Sequence, residues 1–96
     1  MDEPVYWVYI LRSETSGRFY CGSTDNVDRR VKQHNDPEYH GSKTTKRFSG
    51  PWHIIWTEQH NTRSSAMARE KQIKSRGIGR FLDDIAQSVE SRRRRD

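Results

Sequence analysis

At 96 residues the chain makes one domain, with no room for a second. Only 30% is apolar, but ten aromatics, three of them Trp, bring large buried area, so a small core is feasible and a large one is not. Net charge is +5, the N-terminus is acidic without an apolar signal region, and no apolar run nears the roughly 20 residues that span a bilayer, which excludes a membrane helix and points to a cytoplasmic protein.

Val5 to Leu11 is a β-branched, aromatic and aliphatic run, apolar on both faces, and predicts a central strand covered on both sides. Ser13 to Gly17 is a turn segment, and Arg18 to Gly22 predicts the returning strand of a hairpin. Ser23, Thr24 and Asp25 offer helix-start chemistry for a short helix from about Asn26 to Asn35. Residues 36–51 hold Pro37, Gly41, Gly50 and Pro51 and predict a long loop. Trp52 to Glu58 predicts a third strand. Thr62 to Ser65 can cap a helix running to about Ser75. After Gly77 and Gly79, the residues Ile78, Phe81, Leu82, Ile85 and Val89 fall on one helical stripe that reads as packing. The expected fold class is α+β: a small three-stranded sheet, made of a β-hairpin plus a third strand and flanked by helices, in the order β-β-α-β-α-α. The domain is expected over residues 1–89, with residues 90–96 a basic, disordered tail.

Charge is uneven. The tail from Glu90 to Asp96 holds four arginines and two acids, +2 of the total, leaving +3 on residues 1–89. Between Arg29 and Arg47 lie six Lys or Arg and two acids, a local +4 that suits either a phosphate footprint or a solvated loop. The single cysteine, Cys21, excludes an internal disulfide framework and reads as a small packing residue. Histidines and cysteine lack zinc-ligand spacing, and neither a nucleophile elbow nor a Gly-rich phosphate loop is present.

Several polar residues stand where a core residue is expected. Val27, Arg30, Val31 and His34 have the spacing of a sheet-facing stripe, and two of the four are polar. Arg keeps its charge when buried, so Arg30 must reach solvent, pair with an acid such as Glu70, or meet an anion. Ala66, Glu70 and Ile73 share one face of the next helix. A carboxylate there needs an ion pair, with Lys74 one turn on or with Arg30 across the fold, or a cation. Tyr9 and Tyr20 lie on neighbouring expected strands, where the ordinary role of each is core packing with a hydrogen-bonded hydroxyl.

Together the triplets Val8-Tyr9-Ile10 and Tyr20-Cys21-Gly22, the run through Arg30 to His34-Asn35, Arg69-Glu70-Lys71 with Ile73-Lys74, and Gly41-Ser42-Lys43-Thr44-Thr45-Lys46 before Pro51-Trp52 resemble the GIY-YIG nuclease superfamily, its small stand-alone members most closely. The resemblance runs from Val5 to Ser75. It implies catalytic roles for Tyr9, Tyr20, Arg30 and His34, and for Glu70 as ligand to Mg²⁺ or Mn²⁺. It departs from the family pattern at Trp7, where the first triplet usually has Gly, and at Cys21, where the second often has Ile. The implied function is metal-dependent hydrolysis of nucleic-acid phosphodiester bonds, with DNA of branched or repair-type structure as the expected substrate. Arg29, Lys32, Lys43, Lys46, Arg47, Lys71 and Lys74 are the expected contacts to the nucleic-acid backbone. A noncatalytic nucleic-acid-binding module on the same fold is the alternative, and a protein-interaction adaptor is a third.

Overall fold

The apolar run near the N-terminus forms β1 (Tyr6–Ser13), the middle strand of an antiparallel sheet ordered β2-β1-β3. Its neighbours are β2 (Phe19–Thr24) and β3 (Trp52–His60). The computed structural model describes residues 4–39 and 50–93, with side chains described through residue 88. The helices are α1 (Val27–Asn35), α2 (Arg63–Arg76) and α3 (Ile78–Arg93). The element order is the one expected, and the strands run further than their apolar runs suggest because backbone pairing continues through Ser13, Thr24 and His60.

Alternation along β1 makes two cores. Val8 and Ile10 join Cys21 on one face and pack against Ala66 and Ile73 of α2 and Phe81 of α3. Trp56 meets Phe81 edge-on, ring centroids 5.0 Å apart. Tyr9 and Leu11 point the other way, join Trp52, and are covered by Tyr20 and by Val27 and Val31 of α1. The result is three layers: α1, the sheet, then α2 with α3.

Local signals place the helices. The cap of α1 is Asn26, whose Oδ1 accepts from the Arg29 N–H at 3.0 Å. Thr24 sets the preceding turn instead, accepting from the Asn26 N–H at 3.1 Å. Thr62 caps α2 by accepting from the Ser65 N–H at 3.1 Å. Gly77 separates α2 from α3 at φ +98°, a region open to glycine and strained for other residues. The stripe Ile78, Leu82 and Ile85 packs beside Phe81 as expected, while the Val89 side chain lies outside those described. Helix α3 continues to Arg93, past the expected domain end at residue 89. No Gly or Pro follows Gly79, and arginine is a good helix former, so nothing local stops it. Residues 40–49 and 94–96 lie outside the described residues, and with them most of the expected long loop and the expected contacts Lys43, Lys46 and Arg47.

Two clasps fix the layers. Asn35 holds the end of α1 to the start of β3: its Oδ1 accepts from Trp52 N–H at 2.7 Å and its Nδ2 donates to Trp52 O at 3.0 Å. On the other side Arg69 Nε donates to Glu58 Oε1 at 3.0 Å, and His60 Nε2 lies 2.8 Å from the same oxygen.

Tyr9 stands opposite Gly22 in the β1–β2 register. A Cβ at Gly22 would lie 2.7 Å from Tyr9 Oη, 2.9 Å from its Cζ and 3.1 Å from Tyr20 Cε1. Gly22→Ala is therefore expected to destabilise the domain by about 1–3 kcal/mol through overpacking. Urea melts would show a lower midpoint with an unchanged m-value; a midpoint equal to wild type would mean that the tyrosines move aside at no cost.

Candidate active site

The space left by Gly22 is filled by Tyr9 and Tyr20, and the His34 ring lies against both. Tyr9 is 1% exposed and His34, from α1, is 2% exposed. Tyr9 Oη and His34 Nε2 are 3.0 Å apart, so two buried polar groups satisfy each other. Tyr20 stacks at an angle on His34, ring centroids 4.6 Å apart, and lies 6.1 Å from the Tyr9 ring. Burial pushes the Tyr9 hydroxyl pKa well above its ordinary value, Tyr20 adds to this, and Arg30 works against it. Tyr9 is accordingly a neutral phenol at neutral pH.

Arg30 takes the first of the courses open to it and stays half-buried, its head held at the rim. Its Nη1 donates to Gln33 Oε1 at 2.6 Å and to Tyr39 Oη at 3.1 Å. The guanidinium carbon also sits 5.7 Å from the Tyr39 ring centroid, within reach of a cation–π attraction. Burial disfavours its charge, but hydrogen bonding and proximity to Tyr9 and Tyr39 outweigh burial and raise its pKa. The alternative pairing with Glu70 is not formed: Glu70 Oε2 accepts from Lys74 Nζ at 2.6 Å, the one-turn pair.

Glu70 belongs to the opposite layer. Ala66 and Ile73, on either side of it along α2, are buried against Cys21, whereas the Glu70 side chain remains 22% exposed. It lines an open concavity of about 630 Å³ with Met67, Lys71, Lys74 and Ser75. Tyr20 and Cys21 are adjacent on the edge strand β2, and the charge of Lys74 is influenced by both. Glu70 and Lys74 thus flank the β2 edge that carries Tyr20, while Tyr9, Arg30 and His34 gather on the α1 side. Among the described residues no three His, Cys, Asp or Glu side chains form a metal-binding group. Arg29 pairs with Asp25 on the surface, and Lys32 and Lys71 are exposed.

The frame carrying these residues matches a known family model. Residues 5–77 match the GIY-YIG catalytic domain. The chain belongs to the GIY-YIG family. It is 41% identical over 70 residues to a UPF0213 protein of Natronomonas pharaonis, covering 73% of this chain and 78% of that one. A UPF0213 protein of Staphylococcus aureus is 36% identical over 70 residues, covering 73% and 80%. Among solved structures, a UPF0213 protein from Bacillus halodurans, determined by solution NMR, superposes with a TM-score of 0.52 at 30% identity, covering 86% of this chain and 84% of that one. The fold is therefore that of a single-domain GIY-YIG protein of a nuclease family. No helix among the described residues is long and apolar enough to cross a membrane.

Three participants escape a reading by spacing. Tyr39 and Gln33 hold Arg30, and Asn35 locks α1 to β3. Gln33 and Asn35 flank His34 off the apolar stripe, and Tyr39 lies in the loop, so no periodicity marks them.

Cys21, one of the two departures from the family pattern, faces the α2–α3 core and is buried. Burial pushes its thiol from 9.0 up to about 11, with Glu70 adding and Lys74 opposing. A raised folded-state pKa means that stability is full below pH 9 and falls as pH rises toward 11, because the unfolded chain releases this proton first. The loss from this group is about 2–3 kcal/mol. Melts of Cys21→Ala should show a shallower decline over that interval, with the remainder at its alkaline end coming from Tyr9 and Lys74, whose pKa values are also raised; an unchanged slope would show that the thiol does not titrate with unfolding.

Proposed function

We propose that this protein is a metal-dependent endonuclease that hydrolyses phosphodiester bonds of DNA, with branched or otherwise structured DNA of the repair and recombination type as substrate. The observation that carries this reading is the convergence of Tyr9, Tyr20, Arg30 and His34 on the α1 side of the sheet, on a GIY-YIG frame. Packing alone has no use for a cation, an imidazole and two phenols gathered there.

The roles follow from the electrostatics. Arg30 keeps its charge at the rim, where it offsets negative charge developing on the nonbridging phosphate oxygens. Tyr9, held neutral by burial, is unsuited to act as a resting phenolate. It serves better as a hydroxyl that orients the attacking water and exchanges its proton with His34 Nε2. Tyr20, stacked on His34 and carried by the edge strand β2, would position substrate or water beside that pair.

Glu70 suits a hard divalent cation. Its Oε2 accepts from Lys74, while Oε1 accepts no hydrogen bond among the described residues, and the residue lines an open concavity. Mg²⁺ or Mn²⁺ can be held by one carboxylate with waters and substrate phosphate, and when bound it supplies Lewis-acid stabilisation of the leaving oxygen. Of the expected contacts to the nucleic-acid backbone, Arg29, Lys32, Lys71 and Lys74 are among the described residues. We place the protein in the cytoplasm.

The Glu70–Lys74 ion pair favours a second reading, a noncatalytic nucleic-acid-binding module, because the ammonium occupies part of the carboxylate that a cation would use. Cleavage separates the two. With Mg²⁺ or Mn²⁺, wild type is expected to nick branched, flap or duplex DNA. Arg30→Ala and Glu70→Ala are each expected to lower the rate roughly a hundred-fold or more while retaining binding. If wild type cuts nothing and binding is salt-dependent but indifferent to metal, the binding module is the correct reading.

A further inference from the structure

Most large aromatics of the sheet are consumed by folding. Tyr6, Phe19 and Trp56 pack against the α2–α3 core, and Tyr9, Tyr20 and Trp52 against the α1 core. Trp7 joins neither, although it lies in the central strand and is half-buried. It lines an open cavity of about 360 Å³ with Ile54 and Thr57 of β3 and with Asp25, Asn26, Val27 and Asp28 at the start of α1. Ile54 is 41% exposed there, so the cavity has an apolar wall that no described residue covers. Its volume falls in the range of small organic ligand sites, about 300–1,000 Å³. Trp7 precedes Tyr9 by two residues on the same face of the strand, roughly 7 Å along β1, and Thr57 of the cavity wall stands directly opposite Tyr9.

The rim chemistry narrows the occupant. Asp25 is paired with Arg29, but Asp28 makes no hydrogen bond or ion pair among the described residues. Two carboxylates repel phosphate, so a nucleic-acid backbone stays out and a neutral or cationic group enters. Asp28 accepts hydrogen bonds. Asn26 spends its Oδ1 on the helix cap, which leaves its Nδ2 as a donor. An acceptor beside a donor, next to an indole face, complements a base edge that offers an amino group beside a ring acceptor.

We propose that this cavity is a subsite for one unpaired nucleobase bearing an exocyclic amino group, stacked against Trp7 and read by Asp28. The proposal rests on the nucleic-acid reading of the neighbouring cluster and names the substrate feature selected: a single-stranded cytosine or adenine beside the scissile region, with thymine disfavoured. Stacking on an aromatic side chain tolerates any base, and the carboxylate adds the choice, since it accepts from cytosine N4 and finds no amino group on thymine.

The test is fluorescence anisotropy with labelled single-stranded oligo-dC and oligo-dT in EDTA, so that binding is read without cleavage. Wild type is expected to bind oligo-dC about five-fold or more tighter than oligo-dT. Trp7→Ala should weaken oligo-dC roughly five-fold or more, and Trp7→Phe should restore most of it. Asp28→Ala should bring the two affinities together even though removing a negative charge strengthens binding in general. Asp28 is an exposed helix position, so that variant remains informative if Trp7→Ala does not fold. Equal binding of both oligonucleotides by wild type, or a preference that Asp28→Ala leaves unchanged, overturns the proposal. So does a short arginine–lysine peptide that binds through Trp7 and Asp28 when oligo-dC does not, which would assign the cavity to a cationic protein segment. Base preference without any cleavage would leave this subsite standing and remove the nuclease; cleavage with binding indifferent to Trp7 and Asp28 would do the reverse.

Discussion

Tyr9 lies directly across β1–β2 from Gly22, and its hydroxyl and ring occupy the volume that any Cβ at that position would need. Much of the α1 side is arranged around this contact. The ring reaches over the neighbouring strand, meets Tyr20, and brings its hydroxyl to His34. His34 can be buried because it has that partner, and α1 can therefore present a polar residue to the sheet at the end of its stripe. Asn35, the next residue, then ties the helix end to β3 through both the oxygen and the nitrogen of its side-chain amide. A side chain at Gly22 would disturb the sheet, the helix seat and the hydrogen-bonded pair at once.

The sheet also divides the chemistry. One face is apolar and closed by two helices, and the buried Cys21 thiol belongs to it. The other face mixes Leu11, Trp52, Val27 and Val31 with the polar cluster. Burial there raises the Tyr9 pKa further above its ordinary value, while Arg30, at the rim, is charged as arginine is and is hydrogen-bonded to Tyr39. Glu70 is delivered from the opposite layer. It comes within range only because β2 is an edge strand, so that α2 can run beside it and carry Glu70 and Lys74 toward the side where Tyr20 emerges.

How far the chain can be read without coordinates differs residue by residue. The choice of Arg30 over Arg29 follows from helical spacing, and α1 does place Arg30 toward the sheet while Arg29 pairs with Asp25 on the surface. His34 is legible for the same reason. The partner of Glu70 is not, because Lys74 and Arg30 both satisfy the carboxylate in principle, and only the separation of the layers excludes Arg30. Tyr39 is invisible to pattern because it acts from a loop, where no period relates it to the helix. The α1 cap shifted to Asn26 because Thr24 spends its hydroxyl on the turn before the helix.

Trp7 shows the same limit. In sequence it is one more aromatic in a strand, and strand aromatics usually pack. Its neighbours fill both cores without it, and the β3 bulge opposite Ile10 and Leu11 alters which β3 side chains stand across from β1. The sequence by itself determined the element order, the two-faced central strand, the polar positions on otherwise apolar stripes and the family resemblance, because all of these are local or periodic properties of the chain. Only the tertiary structure decided which polar groups meet, which layer each occupies, and which aromatic is left with an open face. Those depend on strand register, on the missing side chain at Gly22, and on how much room three packed layers leave between them.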